Sequence, residues 1–323
     1  MIITVTLNPV LDRTLSLPTL EVGSINRARF VRIDLGGKGI NVSRALLRLG
    51  MKSLALGVFG GATGDFMRRG LEEMGLEVEA IPASGETRTN LTLYDESSRL
   101  QTKINEAGPP LGAKEIALLE EKAQALAEAG DIWVFSGNLP PGAPSELYAR
   151  LIELVQRKGA RAFLDTSGPA LRLGVEARPY GVKPNVEEAA ETMIQALSPS
   201  SDEDAFRAVE FFISLGAEIV ALSRGRYGVV LGTKEGMVKA VPPAVEVKTV
   251  VGVGDSLLAG LIWALERGLS LKEMARYAVA AGTAAAMEEG TGTCTKEAVQ
   301  KLAGQVRVYF LNSTLMNTSE NPC

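Results

Sequence analysis

Short β-branched runs alternate with longer stretches of helical periodicity along almost the whole chain, and this alternation narrows the fold more than any other feature. Residues 2–7, 53–59, 131–136, 161–165 and 218–223 read as strands, and 181–183 as a short strand end. Between them, 40–49, 65–74, 114–129, 144–158 and 202–215 carry apolar residues at helical spacing. Two of these helices close on a glycine, Gly50 and Gly75, where a C-terminal cap wants one. Residues 228–232 and 236–241 read as a hairpin, and 254–266, 271–289 and 296–308 as closing helices. Strands spaced by helices of this length cannot pair as hairpins. They form a mainly parallel sheet covered on both faces, an α/β fold.

Two segments break the rhythm. Residues 13–34 and 87–106 alternate like strands and contain no helix; Thr89, Leu91 and Leu93 would face one way and Asn90, Thr92 and Tyr94 the other. They read as one small antiparallel sheet projecting from the main domain, or as a pair of surface hairpins. The expected organisation is one domain over 1–311 with these lid segments inserted, and a polar, flexible tail over 312–323.

The chain has 323 residues and no histidine, so Ser-His and Cys-His catalysis are excluded. A general base must be Asp, Glu, Lys, Tyr or Cys. The only cysteines are Cys294 and Cys323, too few for a disulfide framework and unpromising for zinc without histidine. A net charge of −4 offers no global field for nucleic acid or an anionic membrane. No apolar run approaches the roughly 20 residues of a membrane span, and the first residues read as a strand rather than a leader. The expectation is a cytoplasmic protein.

Five glycine- or proline-marked turns carry polar groups. Gly252-Val253-Gly254-Asp255 opens an apolar helix, so unpaired N–H groups would form an anion site beside a carboxylate that can act as base; an ordinary capping turn reads equally well. Gly36-Gly37-Lys38-Gly39-Ile40-Asn41 also opens a helix, with Lys38 as a point cation, but it lacks the Walker A spacing. Lys183-Pro184-Asn185-Val186-Glu187-Glu188 follows a strand; Asn185 and Glu188 would share a helical face and meet a hydrated Mg²⁺, or simply start an acidic helix. Ser223-Arg224-Gly225-Arg226-Tyr227-Gly228 is a glycine loop suited to a nucleotide or to a hairpin. Asp12, just past the first strand, could accept bonds from sugar hydroxyls, while Arg88 and Asn90 sit where a substrate phosphate could bind. Asn138, in Ser136-Gly137-Asn138, follows another strand end and could wall the same site. No full G-x-G-x-x-G follows a strand, which argues against a nicotinamide cofactor.

The order and spacing of these motifs resemble the ribokinase-like (PfkB-type) carbohydrate kinases, over residues 1 to about 308. The resemblance is greatest to the branches acting on ketohexose phosphates: fructose 1-phosphate, tagatose 6-phosphate and fructose 6-phosphate. It implies a three-layer α/β/α fold with a small β lid, and ATP- and Mg²⁺-dependent phosphoryl transfer to a sugar alcohol. In that reading Asp255 is the base and Gly252, Val253 and Gly254 the anion hole. Asp12, Gly37, Lys38, Asn41, Arg88, Asn90 and Asn138 contact the sugar phosphate. Lys183, Asn185, Glu188, Ser223, Gly225 and Gly228 lie on the nucleotide side, with Asn185 and Glu188 near Mg²⁺. Thr249, Val251, Glu288 and Gly290 match positions that hold a monovalent cation, K⁺, in some members. The family also implies a homodimer through the lid. Three departures stand out: Asn138 where relatives carry serine, Val253 where alanine is usual, and Arg224 where leucine is usual, which could add a cation near ATP. A sugar-phosphate-binding regulator without catalysis is the rival from another class.

Overall fold

The computed structural model describes residues 1–290 and 293–311; the expected tail, 312–323, lies outside them. In chain order the elements are β1 (Ile2–Thr6), β2 (Val10–Leu17), β3 (Phe30–Gly36), α1 (Lys38–Arg48), β4 (Leu54–Phe59), α2 (Gly61–Glu73), β5 (Glu77–Pro82), β6 (Arg88–Asp95), β7 (Gln101–Ile104) and α3 (Ala113–Leu126). Then come β8 (Ile132–Ser136), α4 (Leu147–Gln156), β9 (Arg161–Asp165), α5 (Gly168–Glu176), β10 (Gly181–Val182), α6 (Val186–Met193), α7 (Asp202–Ser214) and β11 (Ile219–Ser223). The last are β12 (Val229–Thr233), β13 (Gly236–Val241), α8 (Val253–Leu265), α9 (Leu271–Ala286), α10 (Lys296–Ala303) and β14 (Arg307–Leu311).

Ten strands form the central sheet in the order β14-β13-β12-β11-β10-β9-β8-β1-β4-β5. From β11 to β5 the pairing is parallel; β12, β13 and β14 add antiparallel at one edge. The chain leaves β1 toward β4 and β5, then returns on the other side through β8. This reversal is a switch point of the topology, and ligands of open α/β sheets bind outside the C-terminal strand ends at such a point.

Both faces are covered. Residues of α3, α4, α5, α6 and α7 pack on one face, and α1, α8, α9 and α10 on the other. β8, the middle one of the seven parallel strands, is buried throughout. Truncating its Trp133 or Phe135 to alanine would cost about 3–5 kcal/mol. Ten of the thirteen residues of α8 are buried, as expected of a helix apolar on all sides. It lies close against α9 because Gly260 has no side chain: a Cβ there would run into Ala281 and the Tyr277 carbonyl.

The second sheet has the order β3-β2-β6-β7. It is a single lid, which rules out two separate hairpins, but it is mixed rather than antiparallel, since β2 and β6 run parallel. It also begins earlier than expected, so Asp12 lies within β2 rather than in a turn. Further elements differ from the sequence reading. The helix expected over 296–308 ends at Ala303, and residues 307–311 pair with β13 instead. β5 and α5 were not anticipated. No helix among the described residues is long and apolar enough to cross a membrane.

Candidate active site

The polar motifs converge on the C-terminal ends of the parallel strands. α1 is pressed onto the end of β1: Gly37, at φ 125°, would collide with Thr6 and the Pro9 backbone if it had a Cβ. The Thr6 hydroxyl accepts the Ile40 N–H at 3.0 Å. This fixes the next turn of α1, from which Asn41 Nδ2 donates to Asp255 Oδ2 at 2.8 Å. Asn41 Oδ1 is buried without a protein partner, free for a ligand.

Asp255 is the third residue of α8, whose N-terminus has no side-chain cap. The first-turn N–H groups therefore remain open to an anion. The carboxyl group is buried, 6% exposed. Burial, and then repulsion from Asp165, push its pKa up to about 6, although Asn41, Lys183 and Lys38 act the other way.

Asp165, at the end of β9, organises this corner and was missed as a functional residue in the sequence. It is fully buried and pairs with both Lys38 Nζ and Lys183 Nζ at 3.1 Å. Burial pushes its carboxyl up, but the two ammonium groups outweigh that and hold it below the usual range. Asp165 in turn is the main reason that the Lys38 ammonium is raised. One oxygen, Asp165 Oδ2, has no partner. Lys183 also lies against Gly254, which ties this cluster to the anion turn. A lone aspartate ending a strand gives no sequence signal; only the meeting of Lys38 and Lys183 in the fold reveals it. Nearby, Asn138 Oδ1 accepts the Ser167 hydroxyl at 3.0 Å, and the buried Tyr148 hydroxyl holds the Gly137 carbonyl at 3.0 Å.

The lid turns a polar face inward. Its register puts Asp34, Asp12 and Asn90 in one row across three strands, with Arg32, Thr14, Thr92 and Lys103 in the next row on the same face. Asn90 Nδ2 donates to Asp12 Oδ1 at 3.1 Å. Burial raises the Asp12 pKa. Arg88 donates from Nη2 to the Asn8 carbonyl at 3.1 Å and from Nη1 to the Glu106 carbonyl at 3.2 Å; its buried Nε is unpartnered.

On the side expected for the nucleotide, Asn185 and Glu188 are a reciprocal cap of α6. Asn185 Oδ1 accepts the Glu188 N–H at 2.7 Å, and Glu188 Oε2 accepts the Asn185 N–H at 2.8 Å. Of the acceptor oxygens in this cap, Glu188 Oε1 remains, 3.6 Å from Lys38. Ser223 bridges to Asn185 through the backbone, and Gly225 and Gly228 close the loop behind it at φ 56° and 84°. Arg224 does not point toward this loop's open side as expected. It is turned inward and buried.

Thr249 and Gly290 are brought together, the threonine hydroxyl donating to the Gly290 carbonyl at 2.7 Å and accepting from the Val251 N–H at 3.1 Å. Glu288 is exposed. Arg32 of the lid packs against Gly290. Among the described residues no group of three or more acidic or cysteine side chains is placed to cage a metal. The free oxygens of Glu188 and Asp165 fit a hydrated Mg²⁺ that keeps most of its waters. A separate cavity of about 640 Å³ is walled by Phe206, Glu210, Lys234 and Leu311, at the opposite end of β11 and β12 from this cluster.

A parallel sheet with a lid, a carboxylate against a helix N-terminus and paired lysines at the strand ends define a phosphotransferase with an alcohol group as acceptor. The model of the pfkB family carbohydrate kinases matches residues 5–298, and the chain belongs to that family. It is 37% identical over 311 residues to a 1-phosphofructokinase of Bacillus subtilis, covering 96% of this chain and all of that protein. It is 34% identical over 303 residues to the ATP-dependent 6-phosphofructokinase isozyme 2 of Escherichia coli, covering 93% and 97% of the two chains. The structure of the Escherichia coli phosphofructokinase-2 in complex with potassium superposes with a TM-score of 0.89 at 34% identity, over 94% of this chain and 98% of that one.

Proposed function

We propose that the protein phosphorylates a ketohexose phosphate with ATP, converting fructose 1-phosphate to fructose 1,6-bisphosphate, with tagatose 6-phosphate or fructose 6-phosphate as the alternative acceptor. The carrying observation is Asp255: a buried carboxylate aimed by Asn41, with a pKa of about 6, at an uncapped helix N-terminus. The names of the relatives favour fructose 1-phosphate over the other two.

Asp12, Asn90 and Asn41 orient the sugar, with Gly37 and Asn138 walling it and Arg88 facing its phosphate. Asp255 takes the proton of the attacking hydroxyl. The sugar oxygen bonds to the γ-phosphorus as the bond to the bridging oxygen breaks and ADP leaves. The N–H groups of Gly252, Val253 and Gly254, with Lys38 and Lys183, stabilise the charge on the transferring group. Glu188, held by its reciprocal bonds with Asn185, would hold a hydrated Mg²⁺, which would neutralise charge on the nucleotide phosphates. Ser223, Gly225 and Gly228 line the nucleotide, and the Thr249, Val251, Glu288 and Gly290 loops would hold K⁺, which would add positive charge beside the anion turn. The lid excludes water, which would otherwise accept the phosphoryl group.

The lid's outer face carries Ile33 and Ile104, both about half exposed, in one row with Arg13 and Leu91, and its edges β3 and β7 are unpaired among the described residues. Such a face wants a partner, and a second copy of the chain covers it in a homodimer. Measuring ADP release with the three ketose phosphates side by side tests the acceptor. Turnover on none of them would end this reading.

A further inference from the structure

The loop over 223–228 is anchored from behind by one of its own side chains. The Arg224 side chain is 0% exposed. Its Nε donates to the Pro199 carbonyl and its Nη1 to Asp202 Oδ1, both at 2.8 Å. Asp202 begins α7 and accepts Lys239 Nζ of β13 on both oxygens, at 2.8 and 2.6 Å. Two cations thus share one carboxylate, and Arg224 Nη2 stays buried with no partner. Burying a guanidinium with an unmet N–H group is costly, and an apolar side chain would fill the position without that penalty. What the guanidinium adds is geometry. Its planar fork joins the loop to the turn before α7 and, through Asp202, to the neighbouring strand. The Arg224 backbone meanwhile closes the loop, its N–H donating to the Gly228 carbonyl at 2.8 Å and its carbonyl accepting the Tyr227 N–H at 3.1 Å.

We propose that Arg224 is a positioning residue for the nucleotide: through Pro199 and Asp202 it holds the 223–228 loop in the shape that receives ATP. This rests on the reading of that loop as the nucleotide side. The loop's own glycines cannot hold it rigid, because glycine is the least restrained residue. The buried fork supplies the rigidity that they lack.

The test compares Arg224→Leu, Arg224→Lys and Asp202→Asn with the parent, by steady-state kinetics and by calorimetric titration of a non-hydrolysable ATP analogue. Arg224→Leu should weaken the analogue and raise the ATP KM by about tenfold, with kcat and the sugar-phosphate KM within about twofold. Arg224→Lys, which reaches only one of the two acceptors, should fall between. Asp202→Asn keeps the shape at a more exposed position and should move the ATP KM in the same direction, so the idea stays open to test if the leucine variant fails to fold. A lower melting temperature with unchanged nucleotide affinity would make Arg224 a purely structural residue and overturn the proposal. A further variant, Gly225→Asn, tolerates the left-handed backbone and puts a side chain into the open space in front of the loop. If it weakens ATP while the Arg224 and Asp202 variants do not, positioning by Arg224 is refuted. If none of the four affects ATP, the loop is not the nucleotide side at all.

Discussion

Every residue of β1 is buried, whereas every residue of β6 is half-buried and every residue of β7 exposed. The two sheets therefore present their polar groups under different constraints. At the strand ends of the central sheet, Asp255, Asp165, Lys38 and Lys183 are locked by packing on both sides, and their charges act on one another at low dielectric. In the lid, Asp12, Asn90 and Arg88 sit on a thin layer with an exposed back, held by neighbouring strands and a few hydrogen bonds. Groups of the first kind are suited to setting turnover. Groups of the second kind are suited to recognising an acceptor that must enter and leave.

That contrast can be broken at either end. Asp255→Asn should lower kcat by roughly 10²–10⁴, the usual worth of a general base, with both KM values little changed. It should also leave the melting temperature level or higher, because a buried, strained carboxylate is removed. Near-parental turnover in a folded variant would deny Asp255 its role. Asp165→Asn should do the reverse to stability. It strands the buried Lys183 ammonium and leaves Lys38 with Glu188 alone, at a cost of about 3–5 kcal/mol, which thermal or denaturant unfolding would register.

The same pair predicts a pH profile. Asp255 must be ionised to accept a proton, so kcat/KM should fall about tenfold per pH unit below roughly 6, the pKa in the free enzyme. In stability the two carboxyl groups pull in opposite directions. The raised Asp255 favours the folded state more as pH drops from above 6 toward 4, while the lowered Asp165 loses its contribution as pH falls into the acid range. Asp165 is a main source of repulsion at Asp255, so in Asp165→Asn the acid limb should move below its parental position. A limb that stays put would uncouple the two.

In the lid the effects should be smaller and of another kind. Arg88→Ala should raise the sugar-phosphate KM by on the order of tenfold and leave the ATP KM alone. A change confined to ATP would misplace Arg88. Smallest of all, Ile33→Lys on the outer face should alter the association state in light scattering while the isolated chain keeps its fold. If mass and activity are both indifferent to it, the lid needs no partner.

Much of the central sheet was legible in the sequence because burial on both faces leaves continuous apolar runs, as in residues 2–7 and 131–136. β5, Glu77–Pro82, escaped notice because an edge strand alternates charge with half-buried residues. α5 opens on Gly168-Pro169, a pair that reads as a turn, although proline suits the first helical turn. Residues 296–308 carry apolar residues at helical spacing past the real end at Ala303, and only the exposed edge of β13 explains why the chain then extends. At the site, the glycine turns announced where the backbone approaches a ligand. The charges did not announce their partners: Asp165 meets Lys38 across 127 positions of sequence, and no local pattern encodes that.

The contact at Gly260 has a consequence for where activity can be lost. The helix that presents Asp255 is seated by an absence, a missing methyl group that lets it nestle onto Ala281 and Tyr277. No polar side chain is among the nearest neighbours of Gly260. Yet Gly260→Ala would have to shift α8 or α9 by several tenths of an ångström, carrying the carboxylate with it. A survey of inactivating substitutions should therefore find some of its most damaging changes among the smallest residues of the hidden interior.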